Sequence, residues 1–504
     1  MKLPHTSLLV RRLVPLAAGA LLPLAYAPYN LWIVAILSAA VLCGLWAGSS
    51  PRSAFIDGYL FGLGMFGVGT GWLHISINLF GGVNLAGAIL LTFLFILFIA
   101  LFPALAGYLA ARLYLKSWPI SSRVLLIPTA WTLMEWVRSW IFTGFPWLNI
   151  GYSQTDSPLN GLAPLTGVFG ISLAVMLTAG ALVSLRQIAL RKQALLFIAV
   201  CMLWGISLIS ANHTWTTPRQ DDISVALVQG AVPQQIKWTP EMRQPTLDRY
   251  FELTEPHLGS DLIIWPEAAI PAFYHQIEGY IARLGQLTRA TNSYLLTGLP
   301  YQDPVSGQYL NSVVMLGDEV SFYFKRHLVP FGEYLPLDFI LRDIVDYLGI
   351  PMSDFSAGAN TPPVLHTDKF TLGLSICYED VFGEEVIQAL PDAAILVNVS
   401  NDAWFGDSLA PHQHLQMARM RAIESGRYML RATNTGLSAI INEKGRIVAD
   451  IPQFTPATLT GTARLFDGMT PYAHTGNATV LGVITLVLMI ATALGRRDKG
   501  KQAA

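Results

Sequence analysis

The chain has 504 residues, of which 13% are charged and 53% hydrophobic, and its formal net charge is −1. Soluble globular domains carry roughly a quarter charged residues, so this composition excludes a wholly soluble protein. The near-zero charge gives no electrostatic footprint for nucleic acid.

The apolar character is concentrated. Residues 13–212 carry few charges, whereas 213–477 read as an ordinary soluble domain. A bilayer span needs about 20 apolar residues. Such segments are predicted at 13–29, 31–48, 55–78, 85–111, 124–143, 161–185, 194–212 and 478–494, eight in all. The first has a rival reading as a cleavable signal peptide, because Lys2, Arg11 and Arg12 precede it and it ends Ala25-Tyr26-Ala27. A second apolar segment follows at once, which favours retention.

The basic loop residues (Lys2, Arg11, Arg12; Arg52; Arg112, Lys116, Arg123; Arg186, Arg191, Lys192; Arg496, Arg497, Lys499, Lys501) fall on one side of this topology. The alternate loops Asn78–Asn84 and Gly144–Asn160 contain no Lys or Arg. By the positive-inside rule, residues 213–477 lie outside the cytoplasm. The expected division is 1–212 as a membrane domain of about seven helices, 213–477 as an extracytoplasmic domain, and 478–504 as a last span with a basic cytoplasmic tail. Glu135 and Arg138 share a helix face inside the fifth segment, which fits a lipid head-group site or a structural ion pair. His74 reads as hydrogen-bonded packing.

In the soluble stretch, strands are predicted at 223–230, 261–265, 294–298, 312–316, 320–324, 370–376, 394–399, 428–432 and 437–442. Helices are predicted at 246–254, 276–291, 381–390 and 411–425, and a turn at Asn442–Gly445. Several strands are continuously apolar, as in a sheet covered on both faces. The class is α/β, layered.

Three of these strands end in an ionisable residue: Trp265-Pro266-Glu267, Phe322-Tyr323-Phe324-Lys325, and Leu374-Ser375-Ile376-Cys377. The ends of parallel strands share one rim, so the three can converge. Their chemistry is complementary. Glu267 is a base for a thiol, Lys325 an oxyanion partner, and Cys377 a nucleophile. A helix from Val381 would place its amides beside the thiol and lower its pKa. Each residue also has an ordinary reading: capping acid, basic turn, buried small hydrophobe. Cys43 and Cys201 lie in apolar runs, so Cys377 is the only thiol in the soluble part and has no disulfide partner there.

The local sequences Trp265-Pro266-Glu267, Lys325-Arg326-His327-Leu328-Val329-Pro330-Phe331-Gly332-Glu333 and Cys377-Tyr378-Glu379-Asp380 resemble the nitrilase, or carbon–nitrogen hydrolase, superfamily over Ile223–Leu465. Together with the eight flanking spans, the chain most resembles the apolipoprotein N-acyltransferase family of bacterial inner membranes. The resemblance implies a periplasmic αββα nitrilase-like domain on a multi-pass membrane bundle. It implies transfer of an acyl chain from a phospholipid, typically phosphatidylethanolamine, to the α-amino group of a diacylglyceryl apolipoprotein. Cys377 matches the thioester nucleophile, Glu267 the general base, Lys325 the oxyanion stabiliser and Glu333 a second essential glutamate. Trp238, Tyr378 and Glu379 match supporting positions.

No Cys/His spacing fits a metal and no Gly-rich phosphate loop is present, so no cofactor is expected. Phe331, Tyr334, Leu335, Leu337, Phe339 and Ile340 read either as a lid towards lipid or as core packing. The turn Gly144-Phe145-Pro146-Trp147 is a candidate for part of the lipid path. Two rival functions remain open from sequence: a membrane-tethered periplasmic amidase using the same triad, and a transporter with a sensory outer domain. The transporter predicts paired ionisable residues in several spans, and the chain offers little beyond Glu135 and Arg138.

Overall fold

The computed structural model describes residues 8–185, 189–347 and 354–503. Lys2 and Arg186 of the predicted basic loops lie outside the described residues. The chain divides into two compact units. The first is Met1–His74, Ile89–His213 and Thr475–Ala504, and the second is Ile75–Ala88 and Thr214–His474.

The first unit is helical. Among the described residues, four helices are long and apolar enough to cross a membrane: Leu85–Arg112, Pro158–Leu185, Leu190–Asn212 and Ala478–Arg497. The pair Pro51–Gly69 and Leu73–Leu79, bent by 54°, makes a fifth if taken as one span. Arg12–Ala25 and Trp32–Trp46 are shorter apolar helices. The predicted segment 124–143 is also shorter as a helix. It stops at Arg138, and Phe142, Thr143 and Gly144 then take positive φ.

Small residues let two of these helices touch. A Cβ on Gly19 would sit 2.0 Å from the Phe61 carbonyl oxygen, and one on Gly64 would sit 2.1 Å from that of Leu16. Backbone approach of this kind is how helices pack without a hydrophobic drive between them.

Glu135 and Arg138 are both buried and pin the loop that follows. Arg138 donates to the carbonyls of Phe145 (2.5 Å) and Trp147 (2.7 Å) and to Asn149 Oδ1 (2.6 Å). The Ile150 amide donates to Glu135 Oε1 at 2.7 Å. The pair therefore acts structurally on the Phe145–Ile150 loop. His74 Nδ1 lies 2.6 Å from the Gly71 carbonyl, the packing role expected of it.

The second unit holds twelve strands among the described residues. In chain order they are β1 (Thr217–Gln229), β2 (Leu262–Ile264), β3 (Tyr294–Gln302), β4 (Tyr309–Leu316), β5 (Val320–Phe324), β6 (Val364–His366), β7 (Thr371–Ile376), β8 (Ile395–Ser400), β9 (Met429–Thr433), β10 (Ser438–Ile441), β11 (Ile447–Ile451) and β12 (Ala457–Asp467). They form two sheets, ordered β12-β1-β2-β3-β4-β5 and β11-β10-β9-β8-β7-β6.

Side-chain alternation explains the layering. Val225, Leu227 and Ile264 of the first sheet meet Leu374, Ile376 and Val397 of the second in one core. The opposite face of the first sheet (Ala226, Ile263, Leu295) packs on Leu247 and Tyr250 of the helix Pro240–Thr254 and on Ile281 and Leu284 of Glu278–Ala290. The opposite face of the second sheet packs on Leu415, Ala418 and Ala422 of the helix Leu409–Ser425. The result is an αββα sandwich. The segment Ile75–Ala88 joins this unit at the Trp404 turn: Ser76 Oγ donates to the Trp404 carbonyl, and the Phe80 ring sits edge-on at 5.0 Å.

One predicted element is replaced. Instead of a helix over 381–390, Cys377–Val381 is a 3₁₀ turn, followed by the short pieces Gly383–Val386 and Ile387–Ala389. Gly383 is crowded, since a Cβ there would lie 2.5 Å from Arg421 Nη1 and 2.6 Å from the Tyr472 hydroxyl.

Candidate active site

Glu267 follows β2 and Lys325 follows β5, both in the first sheet, while Cys377 follows β7 in the second. The three do not share one rim, as strand-end reasoning anticipated. They meet across the gap between two facing sheets.

Cys377 has φ +52°, a left-handed conformation that costs a non-glycine residue roughly 1–3 kcal/mol and clusters at functional sites. The turn is held from below. Asn398 Nδ2 donates to the Cys377 carbonyl at 3.2 Å and to Ser375 Oγ at 3.0 Å.

Glu267 and Lys325 are linked by a group that sequence reasoning missed. Asn311, on β4, donates from Nδ2 to Glu267 Oε1 (2.8 Å) and to Glu333 Oε1 (2.9 Å). Lys325 Nζ lies 2.8 Å from Glu333 Oε1 and 3.5 Å from Glu267 Oε1. Asn311 and Lys325 both face Glu267 Oε1, and Oε2 takes no hydrogen bond among the described residues. Glu333 reaches back to Lys325 because its own loop is a tight turn. Val329 N donates to Glu333 Oε2 at 2.8 Å, and Phe331 takes φ +61°.

The electrostatics are those of a dry site. Lys325 is 1% exposed. Burial opposes its charge, but Glu333, Glu267 and the Cys377 sulfur outweigh burial and hold the ammonium firmly protonated. Burial and then the Glu267 carboxylate push the Cys377 thiol well up, against the pull of Lys325. The expected lowering by helix amides is therefore not found, because the helix itself is absent and burial dominates.

Glu379 is a staple between the two sheets. It accepts from Ile376 N (2.7 Å) at the end of β7, and from Arg326 N (2.6 Å), His327 N (3.2 Å) and the Tyr323 hydroxyl (2.9 Å) around the end of β5. It thereby fixes Cys377 relative to Lys325. Tyr378 is buried, with its ring 5.1 Å from Phe382 and 5.8 Å from His327. Trp238 stands apart from this cluster, half exposed at the end of the helix Gln234–Lys237.

Beneath Cys377 lies a buried ionic network, also missed. Arg431 on β9 donates to Asp380 Oδ2 (2.8 Å), Asp402 Oδ2 (3.0 Å) and Asn398 Oδ1 (2.5 Å). His414 faces Asp402 Oδ1 through Nδ1 (3.0 Å) and Asp380 Oδ1 through Nε2 (2.8 Å). A carboxylate at each ring nitrogen favours the doubly protonated imidazolium. Burial and Arg431 oppose that charge, but the two aspartates prevail and its pKa rises. The available sequence signal was an arginine inside the buried run Met429-Leu430-Arg431-Ala432. Among the described residues no cluster of three or more His, Cys, Asp or Glu side chains is arranged to hold a metal ion.

The chain is similar to known proteins along nearly its whole length. The Apolipoprotein N-acyltransferase N-terminal domain family matches residues 18–181, and the Carbon-nitrogen hydrolase family matches 224–466. An apolipoprotein N-acyltransferase of Methylococcus capsulatus is 47% identical over 97% of this chain and 98% of its own. One of Nitrosomonas europaea is 42% identical over 97% and 98%. Among solved structures, a carbon-nitrogen hydrolase from Helicobacter pylori aligns at 18% identity with a TM-score of 0.37, over 48% of this chain and 88% of that one. With near-complete coverage at this identity, the chain belongs to the apolipoprotein N-acyltransferase family.

Proposed function

We propose that this acyltransferase moves an acyl chain from a phospholipid, with phosphatidylethanolamine as the donor, through a thioester on Cys377 to the α-amino group of a diacylglyceryl apolipoprotein. The observation that carries the reading is the meeting of Glu267, Lys325 and Cys377 across the two sheets. In the first step Glu267 takes the thiol proton and sulfur attacks the ester carbonyl carbon. The carbonyl π pair moves onto oxygen, where Lys325 stabilises it. Collapse breaks the ester C–O bond, and Glu267 returns its proton to the departing lysophospholipid oxygen. In the second step the neutral amine attacks the thioester and Glu267 accepts its proton. The C–S bond breaks, and the sulfur leaves with that proton. Glu333 and Asn311 hold the base and the lysine in register, and Glu379 and Tyr378 hold the nucleophile turn. Trp238 contributes to substrate contact from the surface.

A two-step path suits two bulky lipids that take one pocket in turn. Phe331, Leu337, Phe339 and Ile340 are exposed while Leu335 is buried, which supports a lid that meets lipid. In this reading residues 1–212 form seven spans, with the shorter helices counted. Residues 213–477 are the periplasmic catalytic domain, and 478–504 carry the eighth span and a cytoplasmic tail, all in the inner membrane. The amidase alternative is not favoured, because the relatives match through the membrane half as well as the hydrolase half.

The test is incubation of purified full-length protein with phosphatidylethanolamine, followed by intact mass. A gain of one acyl chain on Cys377, lost in Cys377→Ser, is expected. Transfer that survives in Cys377→Ala rules the thioester out.

A further inference from the structure

β1 ends at Gln229, and the chain then passes through the short helix Gln234–Lys237 to Trp238. The connection bends at Ala231, which takes φ +48°. Gln234 and Lys237 face inward, whereas Ile236 and Trp238 are exposed. A helix of one turn has too few internal hydrogen bonds to be stable alone, so its neighbours must set its direction.

Those neighbours belong to the second sheet. Asn434, in the turn between β9 and β10, is fully buried and grips Val232 at both backbone groups. Val232 N donates to Asn434 Oδ1 at 3.0 Å, and Asn434 Nδ2 donates to the Val232 carbonyl at 2.8 Å. Ala231 N donates to the Asn434 carbonyl at 2.9 Å. The relay then runs along the sheet end. Asn434 Nδ2 reaches Asn401 Oδ1 at 3.3 Å, and Asn401 Nδ2 donates to Gln234 Oε1 at 2.9 Å. Among the described residues this is the helix's one side-chain hydrogen bond, since Lys237 Nζ makes none. Asn401 follows β8, whose Val399 lies beside Ile376 of β7, so it stands next to the strand end that carries Cys377. Three buried amides thus tie the stretch leading to Trp238 to the nucleophile's side of the sandwich. A buried polar network whose members are satisfied specifies one geometry.

We propose that Gln234, Asn401 and Asn434 are positioning residues for lipid binding, which set the angle at which the helix presents Trp238 beside the Cys377 strand end. They act through Trp238 and touch no reacting atom. Their loss should therefore weaken substrate binding and leave the chemical steps alone. The proposal rests on the reading of Trp238 as a substrate contact, and the test separates the two.

The experiment is steady-state transfer from phosphatidylethanolamine to a synthetic diacylglyceryl lipopeptide by full-length protein in detergent micelles, with each lipid varied in turn. Trp238→Leu is the reference and identifies the lipid whose KM depends on that residue. Gln234→Met is expected to raise the KM of the same lipid by about 2- to 10-fold, the worth of one lost hydrogen bond, with kcat within about twofold of wild type. Added to Trp238→Leu it should raise KM no further, because both changes act on one contact. Gln234→Glu keeps an acceptor for Asn401 Nδ2 and is expected to keep the wild-type KM. Should Gln234→Met fail to fold, Gln234→Asn takes its place, since it is one methylene too short to reach Asn401. A fall in kcat at unchanged KM overturns the proposal. So does a raised KM in Gln234→Glu, or an effect of Gln234→Met that multiplies in full with that of Trp238→Leu. If Trp238→Leu leaves both KM values at the wild-type level, the substrate contact of Trp238 fails. If it raises one while Gln234→Met raises neither, the positioning role alone fails.

Discussion

Replacing Lys325 by Met tests the core of the site, because one atom serves two carboxylates and, in the proposed mechanism, the oxyanion. Its Nζ lies 2.8 Å from Glu333 Oε1 and 3.5 Å from Glu267 Oε1, and the side chain is 1% exposed. Without it the two carboxylates share only the Asn311 amide. Two such charges roughly 5 Å apart, at an effective dielectric near 20, repel by about 3 kcal/mol. The cheapest relief is a proton on one of them or rotation of one away, and either disables the base. That repulsion corresponds to about 100-fold in rate. Loss of the oxyanion partner adds about 100- to 1,000-fold. Acylation of Cys377 in Lys325→Met should therefore fall by about 10⁴- to 10⁵-fold in a protein whose circular dichroism is unchanged.

The double variant Lys325→Met/Glu333→Gln separates the two contributions. It removes the repulsion but not the oxyanion loss, so it should recover up to about 100-fold over the single variant and remain well below wild type. The assay is the time course of the acyl adduct by intact mass in one turnover. A single variant within tenfold of wild type, or a double variant no faster than the single, refutes the reasoning.

Asn311→Ala removes the hydrogen bonds to both carboxylates, each worth about 1.5–3 kcal/mol to a charged acceptor. It should lower kcat about 10- to 100-fold with little change in KM, measured by steady-state transfer to a synthetic lipopeptide. Glu379→Leu leaves the buried amide of Ile376 without an acceptor, at about 1–3 kcal/mol, and frees the part-buried amides of Arg326 and His327 at a smaller cost. It should lower Tm and abolish transfer together, read by intrinsic fluorescence on heating. Asp402 gives a pH signature. Burial opposes its charge, yet Arg431 and His414 hold its pKa below the ordinary carboxylate range. A depressed folded value contributes stability that is fully present above the unfolded pKa and is lost as pH falls through the folded one. Tm should therefore drop as pH falls below about 4. Asp402→Asn should be less stable at pH 7 and flatter across the same acid interval.

Much of the second unit was legible because its strands are apolar runs bounded by turns. Predicted 294–298 and 394–399 lie within one or two residues of β3 and β8 at their starts. β12 was not, since Ala457-Thr458-Leu459-Thr460-Gly461-Thr462 carries no apolar run and gains its order from pairing with β1. The predicted 124–143 segment kept its apolar composition, but composition does not register three successive positive φ values at Phe142, Thr143 and Gly144. The three strand-end residues were legible because each breaks an apolar pattern. Asn311 and Arg431 break such patterns too, but their meaning depends on partners far away in sequence. Asn311 has to be seen beside Glu267 and Glu333 to matter.

The division of the site between sheets has a consequence for how it is built. Glu267, Lys325 and Asn311 all belong to the first sheet, so the charged half of the site forms when that sheet folds. Cys377 belongs to the second and meets them only when the apolar faces around Ile264 and Ile376 pack together. Ordering the nucleophile at φ +52° costs free energy, and the Asn398–Arg431–Asp380 network and Glu379 offset that cost from beneath and from the side. Glu379 is the one of these that touches both sheets, through Ile376 on one and Arg326 on the other. Loss of the buried network should therefore weaken the nucleophile's half alone, whereas loss of Glu379 lets two intact halves drift. A drift of about 1 Å between thiol and base is enough to cost about 100-fold in rate, although neither reacting residue has changed.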